Sequence, residues 1–139
     1  MEPLIVNLKR TDDRVHFECA SASHPDLVVP LDYTPPLGSG NGLAGLEALL
    51  IAFSGCVSTA IVGLLLRLGR HVLDYSATAE GVRTEQPLTL SEIHFQIAIK
   101  SKDVTAEDMR AVLRQAEAIS PVWLAIKNNV LVKTSYTLI

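Results

Sequence analysis

The sequence predicts an α+β protein, because strand-like and helix-like segments occupy separate stretches of the chain. A long apolar run from Ala44 to Arg70 contains no proline and is dominated by Leu, Ala and Ile, which predicts one long helix. The segments on both sides of this run alternate apolar and polar residues, as half-buried strands do. Since the strands do not alternate singly with helices, a parallel dinucleotide-type sheet is not expected.

The composition is that of a small domain with an aliphatic core, and we expect a single domain over 1–139. Hydrophobic residues make up 48% of the chain and aromatic residues only 5%, and this apolar surplus indicates a subunit interface. The net charge is −3 and Lys and Arg are not clustered, so no nucleic-acid partner is expected. The first ten residues lack a basic segment followed by an apolar one, so we expect no secretory signal, a cytoplasmic location and free thiols.

The first part of the chain predicts a meander of three strands over 3–31. Alternating apolar residues mark the first two strands, and Thr11-Asp12-Asp13 has the chemistry of the turn between them. A third apolar run covers Leu27 to Leu31, where Pro30 indicates an edge position. Cys19 shares a strand face with Phe17, so it is expected to be a small buried hydrophobe.

A Pro- and Gly-rich loop over 32–43 leads into the central helix, which is predicted over 44–70. Ser39 and Asn41 are the candidates to cap its first turn. The uncharged part of the helix reaches the roughly 20 residues that a membrane span requires. The centre of this run is nevertheless small and mildly polar, and its flanks resemble strands of a soluble protein, so we expect no membrane partner.

The second half of the chain predicts two strands, two helices and a closing strand. Alternation of Ile93, Phe95, Ile97 and Ile99 with polar residues marks the clearest strand. A capping box at Thr105 and the Ser120-Pro121 pair each indicate a helix start. The predicted bounds are strands over 72–83 and 90–100, helices over 106–119 and 121–127, and a last strand over 130–138.

Two blocks of sequence, GLEALLIAFSGCVSTA around Cys56 and AISPVWLAIKNNV around Ser120, resemble the OsmC/Ohr family of osmotically induced and organic-hydroperoxide-resistance proteins. The resemblance covers nearly the whole chain in the same order. It implies an OsmC-like fold, an intertwined homodimer in which long central helices are enclosed by mostly antiparallel sheets. It also implies thiol sites at the dimer interface and a small hydrophobic hydroperoxide as substrate.

The resemblance assigns the attacking cysteine to Cys56 and the position of the resolving cysteine to Ser120. In the peroxidase members the first cysteine becomes a sulfenic acid, which the second resolves as a disulfide. A hydroxyl cannot form a disulfide, so the two-cysteine cycle cannot operate between these positions. Cys19 can replace the missing partner only if its Cα lies within roughly 7 Å of that of Cys56.

The other family positions match less directly. The peroxidase branch carries a carboxylate ten residues before the cysteine, where this chain has Leu46, and Glu47 follows one residue later. Nine residues of helix turn a side chain through about half a revolution, so Glu47 and Cys56 point to opposite faces. Arg10 and Arg14 flank the hairpin turn that supplies the family's arginine, and neither aligns without a shift.

Two hypotheses follow for the function. In the first, Cys56 reduces organic hydroperoxides in a one-cysteine cycle with an external thiol as reductant, and no cofactor or metal is required. In the second, the chain is a non-catalytic OsmC-like dimer that binds a small apolar ligand or is structural. A mid-helix thiol has no local cation to form a thiolate, so Cys56 is either activated by a distant residue such as Arg10, Arg14 or Arg83, or inert. The Ser120-Pro121 helix start is explained by capping alone, worth typically about 1 kcal/mol.

Overall fold

The computed structural model describes all 139 residues, which divide into two compact units, Met1–Ala48 and Leu49–Ile139. Strands precede and follow a long helix, and the predicted α+β class is confirmed. A single domain over 1–139 stays a prediction. The elements in chain order are β1 (Val6–Arg10), β2 (Phe17–Ser21), β3 (His24–Leu31), α1 (Gly45–Arg67), β4 (Asp74–Glu85), β5 (Leu88–Lys100), α2 (Ala106–Ile119), α3 (Pro121–Ile126) and β6 (Leu131–Leu138).

The first unit is built on a three-stranded antiparallel sheet in the order β1-β2-β3. Its first turn is longer than the three residues expected, because the Asp12 carboxylate accepts hydrogen bonds from the N–H groups of Arg14 (2.8 Å) and His16 (3.0 Å). These bonds shape the turn over residues 12–16, and β2 starts at Phe17. They also lower the pKa of Asp12, and the His16 N–H contributes most.

A buried carboxylate organises the loop that leads to α1. Asp32 accepts hydrogen bonds from the N–H groups of Tyr33 at 2.7 Å, Ser39 at 3.2 Å and Asn41 at 3.0 Å. The Asn41 N–H is the largest of the effects that hold the pKa of Asp32 below its usual range. The loop closes so tightly around this group that a Cβ on Gly38 would overlap the Tyr33 carbonyl.

The prediction that Ser39 or Asn41 caps α1 is wrong. The Ser39 hydroxyl donates to Asp12 at 3.4 Å, and the Asn41 backbone is committed to Asp32. At the helix start, Glu47 Oε1 instead accepts from the N–H of Ala44, the residue before the helix, at 2.9 Å. A carboxylate in the first turn also complements the positive end of the helix dipole.

The second unit holds a three-stranded sheet in the order β4-β5-β6, in which β4 and β5 are antiparallel and β5 and β6 are parallel. A β-bulge shifts the register between Val82 and Arg83, which pair with Glu92 and Leu90. Ser91 is the extra residue in the opposite strand. From Leu90 onwards, one face of β5 is buried, through Leu90, Ile93, Phe95, Ile97 and Ile99.

The helix α1 packs against this buried face through side chains that recur every three or four residues. Its buried positions are Phe53, Val57, Ile61, Leu64 and Leu65. The Phe53 ring meets Phe95 edge-on at a centroid distance of 5.5 Å and Trp123 of α3 at 5.7 Å. Past the helix, Gly69 has a φ of +78°, which is the left-handed conformation typical of a helix end.

Two acid–base contacts join the segment after α1 to the start of α2. Arg70 Nε lies 2.8 Å from Asp108 Oδ2, and Asp108 also completes the predicted capping box with Thr105. His71 Nδ1 lies 2.7 Å from Asp103 Oδ2, while the His71 N–H donates to the other oxygen at 2.9 Å. These contacts fix the connection between β5 and α2.

The helix α1 is the one helix that is long and apolar enough to cross a membrane by length and composition. The core helix of a soluble protein passes the same test, so this property alone does not separate the two. Only 28% of its most apolar 18-residue window is buried within the chain.

Candidate functional site

The candidate nucleophile, Cys56, lies near the middle of α1 in the second unit. Its thiol is free and the residue is half-buried. Phe53 and Val57 beside it are fully buried, whereas Thr59, one turn further on, is exposed. The thiol therefore sits at the margin between the buried and exposed faces of the helix.

The small polar residues that surround Cys56 in sequence are already engaged. Ser54 donates its hydroxyl to the Leu50 carbonyl at 2.7 Å, and Thr59 donates to the Gly55 carbonyl at 2.8 Å. Ser58 shares a hydrogen bond of 2.8 Å with the Tyr75 hydroxyl across the groove between α1 and β4. Burial raises the pKa of Tyr75, and the bond from Ser58 acts in the opposite direction. The mildly polar centre of α1 is thus explained by helix and sheet contacts.

Ser120 also lies in the second unit, at the junction of α2 and α3. Its backbone forms a hydrogen bond with each helix: the Ser120 N–H donates to the Ala116 carbonyl of α2, and the Ser120 carbonyl accepts from the Leu124 N–H of α3, each at 2.9 Å. The side chain makes no capping hydrogen bond, and the buried Oγ has no partner. The explanation of Ser120 by side-chain capping is therefore wrong. An unpartnered buried hydroxyl costs roughly 1–3 kcal/mol, so helix formation does not explain the serine.

Four further candidate residues, Glu47, Arg10, Arg14 and Cys19, lie in the first unit, whereas Arg83 lies on β4 of the second unit. Glu47 is exposed and serves the start of α1, as described above. Arg10 Nε donates to the Arg14 carbonyl at 2.8 Å, and Arg14 Nη1 donates to the Gly38 carbonyl at 3.1 Å. The first unit therefore brings Arg14 to the Asp32-centred loop, while Arg10 contacts the backbone of Arg14. Cys19 lies in β2, where only 8% of it is exposed, as expected for a small core residue.

Each unit carries an open groove. The groove of the second unit has a volume of about 490 Å³ and runs between α1 and β4. It is lined by Leu50, Ile51, Ser54, Gly55, Ser58, Tyr75, Ser76, Ala77 and Ala79. The groove of the first unit, about 390 Å³, follows the sheet beside Cys19. Neither has Cys56 in its lining, and no group of three His, Cys, Asp or Glu side chains is arranged to hold a metal ion.

Sequence reasoning missed Asp32 and Tyr75. An aspartate immediately before a Pro- and Gly-rich loop is a usable signal, since such carboxylates often accept from nearby backbone N–H groups. Tyr75 gave no signal, because its partner Ser58 is 17 residues away and on another element.

The fold and the thiol together define the class: an α+β protein with a half-buried cysteine on its long helix. The OsmC family profile, described as OsmC-like protein, matches residues 38–135, so this chain belongs to the OsmC-like protein family. No curated protein matches it in sequence.

Solved structures share the fold over the whole chain at low sequence identity. A hypothetical protein from Aquifex aeolicus VF5 is similar with a TM-score of 0.84 and 19% identity, covering 100% of this chain and 98% of that one. An OsmC-like protein from Mycoplasma pneumoniae gives a TM-score of 0.83 at 14% identity, with 99% and 98% covered. An organic hydroperoxide resistance protein OsmC from Legionella pneumophila gives 0.72 at 18%, with 99% and 98% covered. Thus α1 belongs to a fold that these proteins share.

Proposed function

We propose that this OsmC-like protein reduces organic hydroperoxides through Cys56, with an external thiol as the reductant. The observation that carries the proposal is the free, half-buried thiol of Cys56 on the long helix of this fold. Support comes from structurally similar proteins described as organic hydroperoxide resistance proteins. A thiol at the margin of a buried face meets both an apolar peroxide and a soluble reductant.

The proposed chemistry begins with the Cys56 thiolate. Its sulfur attacks the outer peroxide oxygen, so that an S–O bond forms, the O–O bond breaks, and the alkoxide leaves and takes a proton to become an alcohol. A thiol then attacks the sulfenic acid and releases water as a mixed disulfide forms. A second thiol frees Cys56 and leaves as the oxidised disulfide, so that two electrons pass from the thiols to the peroxide.

The other two candidate positions support the one-cysteine form of this cycle. Ser120 offers a hydroxyl, which cannot form a disulfide. Cys19 is buried in the sheet of the first unit and is free. The reductant therefore comes from solution, and the proposal requires no bound cofactor.

We also propose that the protein works as a cytoplasmic homodimer. Only a small share of the apolar helix α1 is buried within its own chain. This supports a second copy of the chain as the surface that covers the rest of the helix. Exposed apolar side chains on the outer strand of the first unit, Leu27, Val28 and Val29, support the same proposal. Two free thiols are compatible with a reducing compartment.

A non-catalytic dimer that binds a small apolar ligand, or is structural, is the second candidate. It is favoured because the polar side chains of α1 near Cys56 form hydrogen bonds with backbone groups and so are not free to assist a reaction at the thiol. Glu47 is committed to the helix start, and Ser54 and Thr59 are committed to helix carbonyls. In this function Cys56 would be an inert thiol at the edge of the core.

The deciding experiment exposes the purified protein briefly to cumene hydroperoxide with a sulfenic-acid trap present, and maps the modified peptides by mass spectrometry. The expected result is selective labelling of Cys56, together with peroxide consumption in dithiothreitol that Cys56→Ser abolishes. Cys19→Ser is the matched control and should retain full activity. If both thiols remain unmodified and no peroxide is consumed, the peroxidase proposal is wrong and the second candidate takes its place.

A further inference from the structure

The groove between α1 and β4 exists because small side chains face each other across it. The strand register pairs Ala77 and Ala79 of β4 with buried residues of β5, so both lie on the face of the sheet that packs against α1. Ser54 and Gly55 line the same groove from the helix. These short side chains leave a volume of about 490 Å³ unfilled, which lies within the range of small-molecule sites.

The two ends of the groove differ in chemistry. At one end, the hydroxyl groups of Ser58 and Tyr75 share a hydrogen bond of 2.8 Å. At the other end, Leu50 packs so closely on Gly81 that a Cβ on this glycine would lie 2.9 Å from Leu50 Cδ1. Leu50 and Ser58 are separated by about 12 Å along the helix axis. The groove is therefore elongated, with one polar end and one apolar end.

The polar end suits a neutral group that both accepts and donates a hydrogen bond. Each hydroxyl carries one proton, so the bond between Ser58 and Tyr75 leaves a second proton and several lone pairs free. Burial raises the pKa of Tyr75, so its hydroxyl keeps its proton at neutral pH. No residue that lines the groove is charged. The Asp74 carboxylate accepts the Tyr75 N–H at 2.9 Å, so a negative group at this end would be repelled.

We infer that the groove binds a neutral aliphatic alcohol of medium chain length, with its hydroxyl at Ser58 and Tyr75 and its chain directed towards Leu50. An alcohol accepts the free proton of the hydroxyl pair and donates its own proton to a free lone pair. An extended chain of about eight carbons spans roughly 10 Å, which matches the distance between the two ends. Contact of this chain with Leu50 and the alanines of β4 removes apolar surface from water and contributes to affinity.

This binding site is separate from the candidate thiol. Cys56 lies two residues from both Ser54 and Ser58, so its side chain points about 160° away from theirs around the helix axis. The exposed residues Thr59 and Gly63 also lie on another side of α1, so a second copy of the chain can pack there without filling the groove. The inference does not depend on the chemistry of Cys56.

Titration of the isotope-labelled protein with octanol, followed through the amide signals in NMR, tests the inference. We expect saturable shifts that are confined to the groove-lining parts of α1 and β4. Octanoate has the same chain length and is ionised at neutral pH, so it should bind at least about tenfold more weakly than octanol. The absence of saturable shifts up to the solubility of octanol, as when a second copy of the chain fills the groove, would overturn the inference. A smaller difference between octanol and octanoate would also overturn it.

Two variants that add the same bulk to opposite faces of β4 locate the site. Ala77→Leu places a larger side chain in the groove and should weaken octanol binding at least about tenfold. Thr78→Leu is the matched control, because Thr78 is also exposed but pairs with Gln96 on the other face of the sheet. It should bind octanol as the wild type does. Unchanged affinity in Ala77→Leu, or an equal loss in Thr78→Leu, would contradict the assignment.

A third variant tests the orientation of the ligand. Ser58→Ala combined with Tyr75→Phe removes both hydroxyl groups and keeps the apolar walls, so it should weaken octanol binding by about fivefold or more. The affinity for octanoate should change less, since its carboxylate is not expected at this end. An unchanged affinity for octanol in the double variant would show that the hydroxyl pair does not hold the ligand.

Discussion

Replacing Phe53 with alanine tests the account of the core that positions Cys56. The Phe53 ring is fully buried and forms edge-on contacts with Phe95 and Trp123, at centroid distances of 5.5 and 5.7 Å. Removal of a buried phenylalanine side chain typically costs about 3–5 kcal/mol, and each aromatic pair adds roughly 0.5–1.5 kcal/mol to the area term. We therefore expect Phe53→Ala to lose about 4–5 kcal/mol of unfolding free energy. That is a large share of the roughly 5–15 kcal/mol of a typical domain.

The measurement is urea unfolding followed by the fluorescence of Trp123, which is the only tryptophan and packs on the altered ring. Phe53→Leu keeps part of the volume, so it should fall between alanine and the wild type. Leu88→Ala is the exposed control, since Leu88 is 51% exposed at the start of β5, and it should change the free energy by about 0.5 kcal/mol or less. A loss under about 1 kcal/mol for Phe53→Ala, or an equal loss for Leu88→Ala, would refute the packing argument.

The other predictions address the loop, the helix start and the acid limit. Gly38→Ala should disorder the loop before α1, because a Cβ has no room there; amide hydrogen exchange that matches the wild type would contradict this. Glu47→Ala should cost about 0.5–1 kcal/mol by freeing the Ala44 N–H, and Glu47→Gln should recover most of it; equal losses would show that the contact is unimportant. The His71 N–H is the largest of the effects that hold the pKa of Asp103 well below its usual range, so its stabilising contribution is full above the ordinary aspartate pKa and is lost in acid. Asp103→Asn should therefore weaken the loss of unfolding free energy that acid causes in the wild type. If the melting temperature of Asp103→Asn falls with decreasing pH as steeply as that of the wild type, the contact does not contribute.

The sequence predicted correctly the helix starts that depend on hydrogen bonds between residues close together in the chain. The helices α2 and α3 begin at Ala106 and Pro121, as the Thr105 capping box and the Ser-Pro pair indicated. Both signals act within one helical turn, so they do not depend on distant residues. The turn before β2 is longer than the sequence predicted, because the Asp12 carboxylate accepts hydrogen bonds from two N–H groups within it. The alternation of apolar and polar residues gives no information about such bonds.

The surroundings of the candidate site residues depend on contacts between residues far apart in the chain, which the sequence does not reveal. Cys56 was identified from the family resemblance, and the structure adds that it is half-buried beside a fully buried aromatic cluster. For Ser120, a local capping rule gave the wrong explanation, because the tertiary packing buries its hydroxyl without a partner. The sequence places Glu47 on the helix face opposite Cys56, and its bond to the Ala44 N–H is visible only in the folded helix start.

By itself, the sequence determined the α+β class and the long apolar helix, because both depend on residue type and on periodicity along the chain. The candidate thiol came from the resemblance of the block around Cys56 to the OsmC/Ohr family. Only the tertiary structure decided that His94 lies between Glu80 of β4 and Glu92 of its own strand and that Ser58 pairs with Tyr75. The physical reason is that these contacts depend on strand register and on the packing of α1 against the sheet, which brings together residues as far apart in the chain as Phe53 and Phe95, separated by 42 positions.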